Sequence, residues 1–204
     1  MRTSENYDNN LLNEDGTKKI EAYNDTYVKE QMIVILKDLY GWDLYINPDD
    51  YGVDLLSKDG TFGVELEHGG WNDKFFEDKF YPYMCKSLTY PHVNMPARKE
   101  KWYKSKYWVN LEPDRNKKPI FKEKENPTYK NNIFIRTNRQ LTQMIIIWPD
   151  TVFSGNFERT KIFTNNSQKL EPFFSFKRED VEVVNLINGV WTTEEIKTNE
   201  QPIH

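Results

Sequence analysis

Between Val28 and Leu39 the apolar residues Val28, Met32, Ile35, Leu36 and Leu39 recur at helical spacing. That spacing predicts an amphipathic helix running to about Tyr40, with Asn24 or Asp25 as its N-cap and Gly41 as its stop. After Gly41 the period shortens to two. Trp42 to Ile46 alternates like a strand, and Asn47-Pro48-Asp49-Asp50 is a turn signal. Two further strands are expected at Val53-Asp54-Leu55-Leu56 and Phe62-Gly63-Val64-Glu65-Leu66-Glu67, joined through the Asp-Gly turn of Lys58-Asp59-Gly60. A second helix is expected from Asn72 to about Tyr81, and a fourth, proline-bounded strand at His92 to Met95. Later strands are expected at Ile133 to Ile135, Met144 to Trp148, Phe173 to Phe176 and Val181 to Ile187. Met144 to Trp148 is apolar without interruption and so reads as buried on both faces.

Two stretches lack such periodicity. Residues 1–20 are polar and rich in Asn and Asp, and are expected to form a flexible tail before a single domain spanning 21–204. Residues 112–131 hold three prolines and few apolar side chains, and read as a mobile loop. The whole is expected to be a mixed α/β (α+β) domain with a strand-rich C-terminal extension.

Composition narrows the class. The 204 residues are 29% charged and 15% aromatic, with 12 Tyr, 12 Phe and 6 Trp, so large rings must carry much of the core. No apolar run approaches the roughly 20 residues needed to span a bilayer, and neither a membrane nor export is expected. Cys85 is the only cysteine, which excludes an internal disulfide and a cysteine-cluster zinc site. A reducing cytoplasm is the expected compartment. The net charge of -4 is unevenly spread: residues 98–130 carry 11 basic and 5 acidic groups, while residues 1–97 carry 9 and 18. A basic block beside an acidic one suits an enzyme that holds a polyanion, although charge runs are also how loops stay solvated.

The acidic block contains the candidate chemistry. Glu65 and Glu67, two apart on one strand, point to one face, and Asp54 joins them from the neighbouring strand if the register sets it opposite. Clustered carboxylates need a cation among them, and a hard divalent ion takes oxygen ligands of this kind. The order helix, strand, strand with Asp54, strand with Glu65-Leu66-Glu67, helix, strand resembles the core of the PD-(D/E)XK nuclease superfamily, the restriction-endonuclease-like fold. The resemblance covers residues 21–100. It implies a nuclease hydrolysing phosphodiester bonds with Mg2+ or Mn2+ held by Asp54, Glu65 and the Leu66 carbonyl. It also implies a supporting glutamate on the first helix, which Glu30 matches. Glu67 stands where that family usually has lysine, as in its two-glutamate variants, and becomes a third acid that acts as base or holds a second ion.

The displaced positive charge then has candidates in Arg98, Lys99 and Lys101, with Lys99 the first choice as a catalytic group. Arg98, Lys101, Trp102, Lys104 and Lys106 mix cations with an aromatic ring and are expected to touch nucleic acid, DNA before RNA. Dimeric relatives cut both strands, so the resemblance leaves a homodimer open. His68 points to the face opposite Glu67 if the strand continues; His92, His204 and Cys85 carry no constellation. Abundant Asn, Lys, Tyr and Ile suggest an AT-rich genome, such as a phage or its host, which suits DNA processing, defence or counter-defence. Two other readings compete. One is a nuclease-like fold reused to bind nucleic acid or protein without catalysis. The other is a glycoside hydrolase using Glu65 and Glu67 with aromatic sugar platforms, against which the small size and the basic block speak.

Overall fold

A computed structural model describes residues 25–68, 92–112, 116–137, 141–164 and 169–193. The tail at 1–20 and the helix expected at 72–81 lie outside the described residues.

Helix α1 spans Asp25–Tyr40. Val28, Met32 and Leu36 are its buried stripe, and Gly41 ends it at φ +71°, donating its N–H to the Lys37 carbonyl at 2.9 Å. Strands β1 (Leu44–Ile46), β2 (Leu55–Ser57) and β3 (Gly63–His68) follow as an antiparallel meander. Gly60, at φ +72°, turns the β2–β3 hairpin, while the Asp59 carboxylate accepts from the Thr61 N–H and hydroxyl. Asp54 was expected inside the second strand and instead precedes β2 by one residue. Its side chain, rather than a ladder carbonyl, accepts the Leu66 N–H at 2.8 Å.

The later strands are β4 (His92–Pro96), β5 (Lys106–Asn110), β6 (Phe121–Glu125), β7 (Ile133–Thr137) and β8 (Gln143–Ile147). Short helix α2 (Pro149–Phe153) precedes β9 (Phe157–Thr164), β10 (Lys169–Lys177), β11 (Glu182–Ile187) and β12 (Val190–Thr193). Seven strands make one mixed sheet in the order β1-β2-β3-β7-β8-β11-β12, in which only β3 and β7 run parallel. Beside it stand a three-stranded sheet, β4-β10-β9, and the β5–β6 hairpin. The architecture is mixed α+β and rich in strands.

The expected strand at His92 to Met95 forms as His92–Pro96 and pairs with β10, while β7 lies beside β3. One expectation needs correction. The stretch 112–131 is not an unstructured loop throughout: Phe121–Glu125 pairs with β5, and a 3-10 turn spans Tyr129–Asn131. Its apolar poverty reflects a two-stranded hairpin with an exposed outer face.

The large sheet is buried on both sides. Val64, Leu66, Ile133, Ile135, Met144, Ile146 and Val184 pack with α1 and a ring cluster of Tyr40, Trp42, Phe62 and Trp148. Phe134, Ile145, Ile147 and Val183 turn the other way, onto Val93, Met95, Trp102, Tyr103, Phe174 and Phe176. Among the described residues no helix is long and apolar enough to cross a membrane.

Candidate active site

The β2–β3 register pairs Leu55 with Val64 and Leu56 with Gly63. Continued by one step, it sets Asp54 opposite Glu65. Leu66 directs its N–H and its carbonyl to the same side of β3, the side on which Asp54 lies. Glu65 and Glu67 share the face turned away from α1, as their spacing predicted.

Every acid here has a cation. Lys29, from α1, reaches Asp54 Oδ1 at 2.9 Å. Lys99, half-buried, pairs with the buried Glu65 at Oε1. Glu67 Oε1 lies 3.5 Å from Arg98 Nη2 and 3.6 Å from Arg136 Nη2. Arg136 stands beside Glu67 because β7 runs parallel to β3 and pairs those two positions, and its Nη1 donates to the Asn94 carbonyl at 3.2 Å. Arg98 also faces Glu171 Oε2 at 3.6 Å. The cluster thus sets three acids, Asp54, Glu65 and Glu67, among Lys29, Arg98, Lys99, Lys101 and Arg136.

A 3-10 turn over Ala97–Tyr103 delivers most of that positive charge. Residues three apart eclipse one another in such a turn, so Lys99 and Trp102 share a side. Burial pushes the Glu65 carboxyl up to about 7, against the pull of the Lys99 ammonium and with a further push from Asp54. Burial likewise drives the Tyr103 hydroxyl upward, with Glu65 adding to it. Burial holds the Lys101 ammonium below its usual range, and Lys99 and Arg98 act in the same sense while Glu65 opposes them. Glu65 Oε2, Glu67 Oε2, Trp102 Nε1 and Tyr103 Oη are among the buried polar atoms whose distances and angles make no full hydrogen bond, although the Trp102 indole N–H helps to hold the Glu65 carboxyl down.

Several expected site residues are placed differently. Glu30 is exposed on α1, and Lys29 beside it is the helix residue that meets the cluster, so the helix brings the opposite charge to the one expected. Lys29 was legible: with Met32 and Leu36 it forms an i, i+3, i+7 row, which puts it on the buried stripe. Arg136 was not, because its role follows from the pairing of β3 with β7. Trp102, expected to stack on bases, is 4% exposed and lies in the core under the Lys101 ammonium, 4.0 Å from the ring centroid. Lys104 and Lys106 are exposed but paired, Lys104 with Glu100 and Lys106 with Glu123 and Glu125. His68 ends β3 as expected, and its partly buried side chain falls on the alternate face.

Among the described residues no group of three or more His, Cys, Asp or Glu side chains gathers as a metal centre. Two carboxylates with a carbonyl are nonetheless a donor set that suits a hard cation, which completes its shell with water and substrate oxygens. The unpartnered Glu65 Oε2 fits that use. Glu67 Oε2 is unpartnered as well, while its Oε1 is engaged by Arg98 and Arg136. Compared with protein-family models, curated proteins and solved structures, the chain matches none.

Proposed function

We propose that the chain is a metal-dependent nuclease whose reaction centre lies between Asp54 and Glu65. The supporting observation is that the β2–β3 register sets Asp54, just before β2, opposite Glu65 on β3, with the Lys99 ammonium on Glu65. That combination resembles the PD-(D/E)XK arrangement, with the motif lysine supplied from the 97–103 turn instead of from the third strand. Asp54, Glu65 and the Leu66 carbonyl would hold Mg2+ or Mn2+. Such an ion, when bound, polarises a phosphate oxygen and makes a bound water nucleophilic near neutral pH. Lys99 would offer its charge to the phosphoryl oxygens beside Glu65. Glu67 holds the exposed Arg98, whose guanidinium suits bidentate pairing with phosphate, and the buried Arg136 behind it. DNA is the expected substrate, in a DNA-processing, defence or counter-defence role.

One observation favours a second reading, a nuclease-like fold that binds nucleic acid or a protein without cutting. Asp54 and Glu65 are both already neutralised by lysines, Lys29 and Lys99. Incubation with plasmid, single-stranded DNA and RNA in Mg2+, Mn2+ or EDTA separates the two. Cleavage that stops in EDTA and falls about 100-fold or more in Asp54→Asn, Glu65→Gln and Lys99→Met supports the nuclease. Salt-sensitive binding without cleavage supports the second reading, and cleavage that survives Glu65→Gln overturns the proposed centre.

A further inference from the structure

The 97–103 turn carries Arg98, Lys99 and Lys101, and its last carbonyls would be orphaned in a buried setting without partners from elsewhere. Two asparagines supply them. Asn132 Nδ2 donates to the Trp102 carbonyl at 2.7 Å, and Asn126 Nδ2 donates to the same oxygen at 2.8 Å and to the Lys104 carbonyl at 3.2 Å. The Asn126 N–H adds a bond to the Ser105 carbonyl at 2.8 Å. Asn132 is fully buried and Asn126 is 6% exposed. Asn132 immediately precedes β7, which pairs with β3.

Asn132 Oδ1 is buried without a hydrogen-bond partner and stands close against β3. A Cβ on Gly63 would stand 2.7 Å from Asn132 Oδ1 and 2.6 Å from Val53 Cγ2, so the amide occupies space that only glycine leaves open. The connections close a ring: Gly63 seats Asn132, Asn132 holds the Trp102 carbonyl, and three residues back along the turn Lys99 meets Glu65. Glu65 lies two residues beyond Gly63 on the same strand.

We infer that Asn132, seconded by Asn126, is a positioning residue for this site: the two amides clamp the Trp102 carbonyl and thereby hold Lys99 against Glu65. The catalytic meaning of the clamp rests on the nuclease reading, but the clamp itself is tested without metal or substrate. Lysine acylation read by mass spectrometry on the metal-free protein reports each ammonium separately. In the native chain Lys99 reacts slowly and Lys104 and Lys106 quickly. Asn132→Ala raises the Lys99 rate, relative to Lys104 in the same molecule, by at least about five-fold. Asn126→Ala leaves one amide in place and gives a smaller rise. Gly63→Ala, which pushes on Asn132 from β3, gives the same pattern.

Val184→Ala, a buried change on the α1 side of the sheet, lowers the melting temperature without exposing Lys99. If Lys99 stays protected in Asn132→Ala and Asn126→Ala, or if Val184→Ala exposes it equally, the clamp is overturned. Where the native protein cleaves, Asn132→Ala lowers kcat more than it raises KM. Where it does not cleave, the nuclease reading fails and the acylation pattern still decides the clamp.

Discussion

On one face of β3, Val64 and Leu66 meet α1 among apolar side chains; on the other, one residue out of step, Glu65 and Glu67 meet lysines and arginines. Both faces are covered, yet they are stabilised in different ways. The α1 face gains from area removed from water and from close packing, and it contains few groups whose charge must be matched. The opposite face places carboxylates in a dry layer, where each stays tolerable only while a cation stands beside it. The first arrangement tolerates changes of pH and salt. The second responds to both, which is the property expected of a site that exchanges protons or ions. The alternation of a strand lets six residues serve both ends at once.

The largest effect is expected on the apolar face. Leu36→Ala removes a fully buried side chain from the α1 stripe and lowers unfolding free energy by about 2–5 kcal/mol. Urea unfolding measures it, and lysine acylation of Lys99 stays at the native rate. A parallel rise in Lys99 reactivity would mean that the two faces do not act independently.

On the charged face, removing one partner costs more than removing both. Lys99→Met leaves Glu65 buried beside Asp54 and is expected to cost about 3 kcal/mol at pH 8. Adding Glu65→Gln recovers most of that loss, because the remaining buried group is then neutral. An additive double variant would show that the two side chains do not interact.

The sign of the pH dependence follows from Glu65. Its carboxyl is raised from 4.5 to about 7 in the folded chain, chiefly by burial. The native state therefore binds the proton more tightly than the unfolded one. That contribution to stability is complete below pH 4.5 and disappears as pH rises through 7. Relative to Glu65→Gln, the native protein should lose on the order of 2 kcal/mol between pH 5 and pH 8, read from unfolding curves at each pH. Lys99, Asp54 and Lys101 all face this group, so Lys99→Met moves the loss to higher pH. A difference between the two proteins that does not change with pH would mean that Glu65 is ionised throughout.

How much of this was readable in the chain depends on distance. Local signals served well: the stripe from Val28 to Leu36, the left-handed Gly41 and Gly60, and the uninterrupted Met144 to Ile147 all formed as their spacing implied. Lys99 was legible as the first candidate for the displaced positive charge, but its pairing with Glu65 was not. Trp102 was misread because cations flank it in the sequence; the 3-10 turn over Ala97–Tyr103 buries Trp102 and Tyr103 at its end instead. The setting of Arg136 and Asn132 depends on β7 joining β3 across 64 intervening residues, between His68 and Ile133, and no local period encodes that pairing. Long-range partners of this kind are chosen by the whole sheet.

The smallest effects are expected where charge meets water. Lys104 and Lys106 were expected to touch phosphate, and each is paired with glutamate on an exposed surface. Such pairs contribute little to folding, so Lys104→Ala and Lys106→Ala should leave the melting temperature unchanged. Their use, if any, is in binding. Each lysine that neutralises a phosphate contributes about one unit to the slope of log affinity against log salt. Fluorescence-anisotropy titrations of a labelled oligonucleotide at several salt concentrations would read that slope. A slope unaltered by both substitutions assigns the phosphate contacts to Arg98 and Lys101 beside the acidic cluster, so that the charged face alone faces the substrate. A shallower slope extends the polyanion surface along the β5–β6 hairpin, where phosphate must displace Glu100, Glu123 and Glu125 from their lysines.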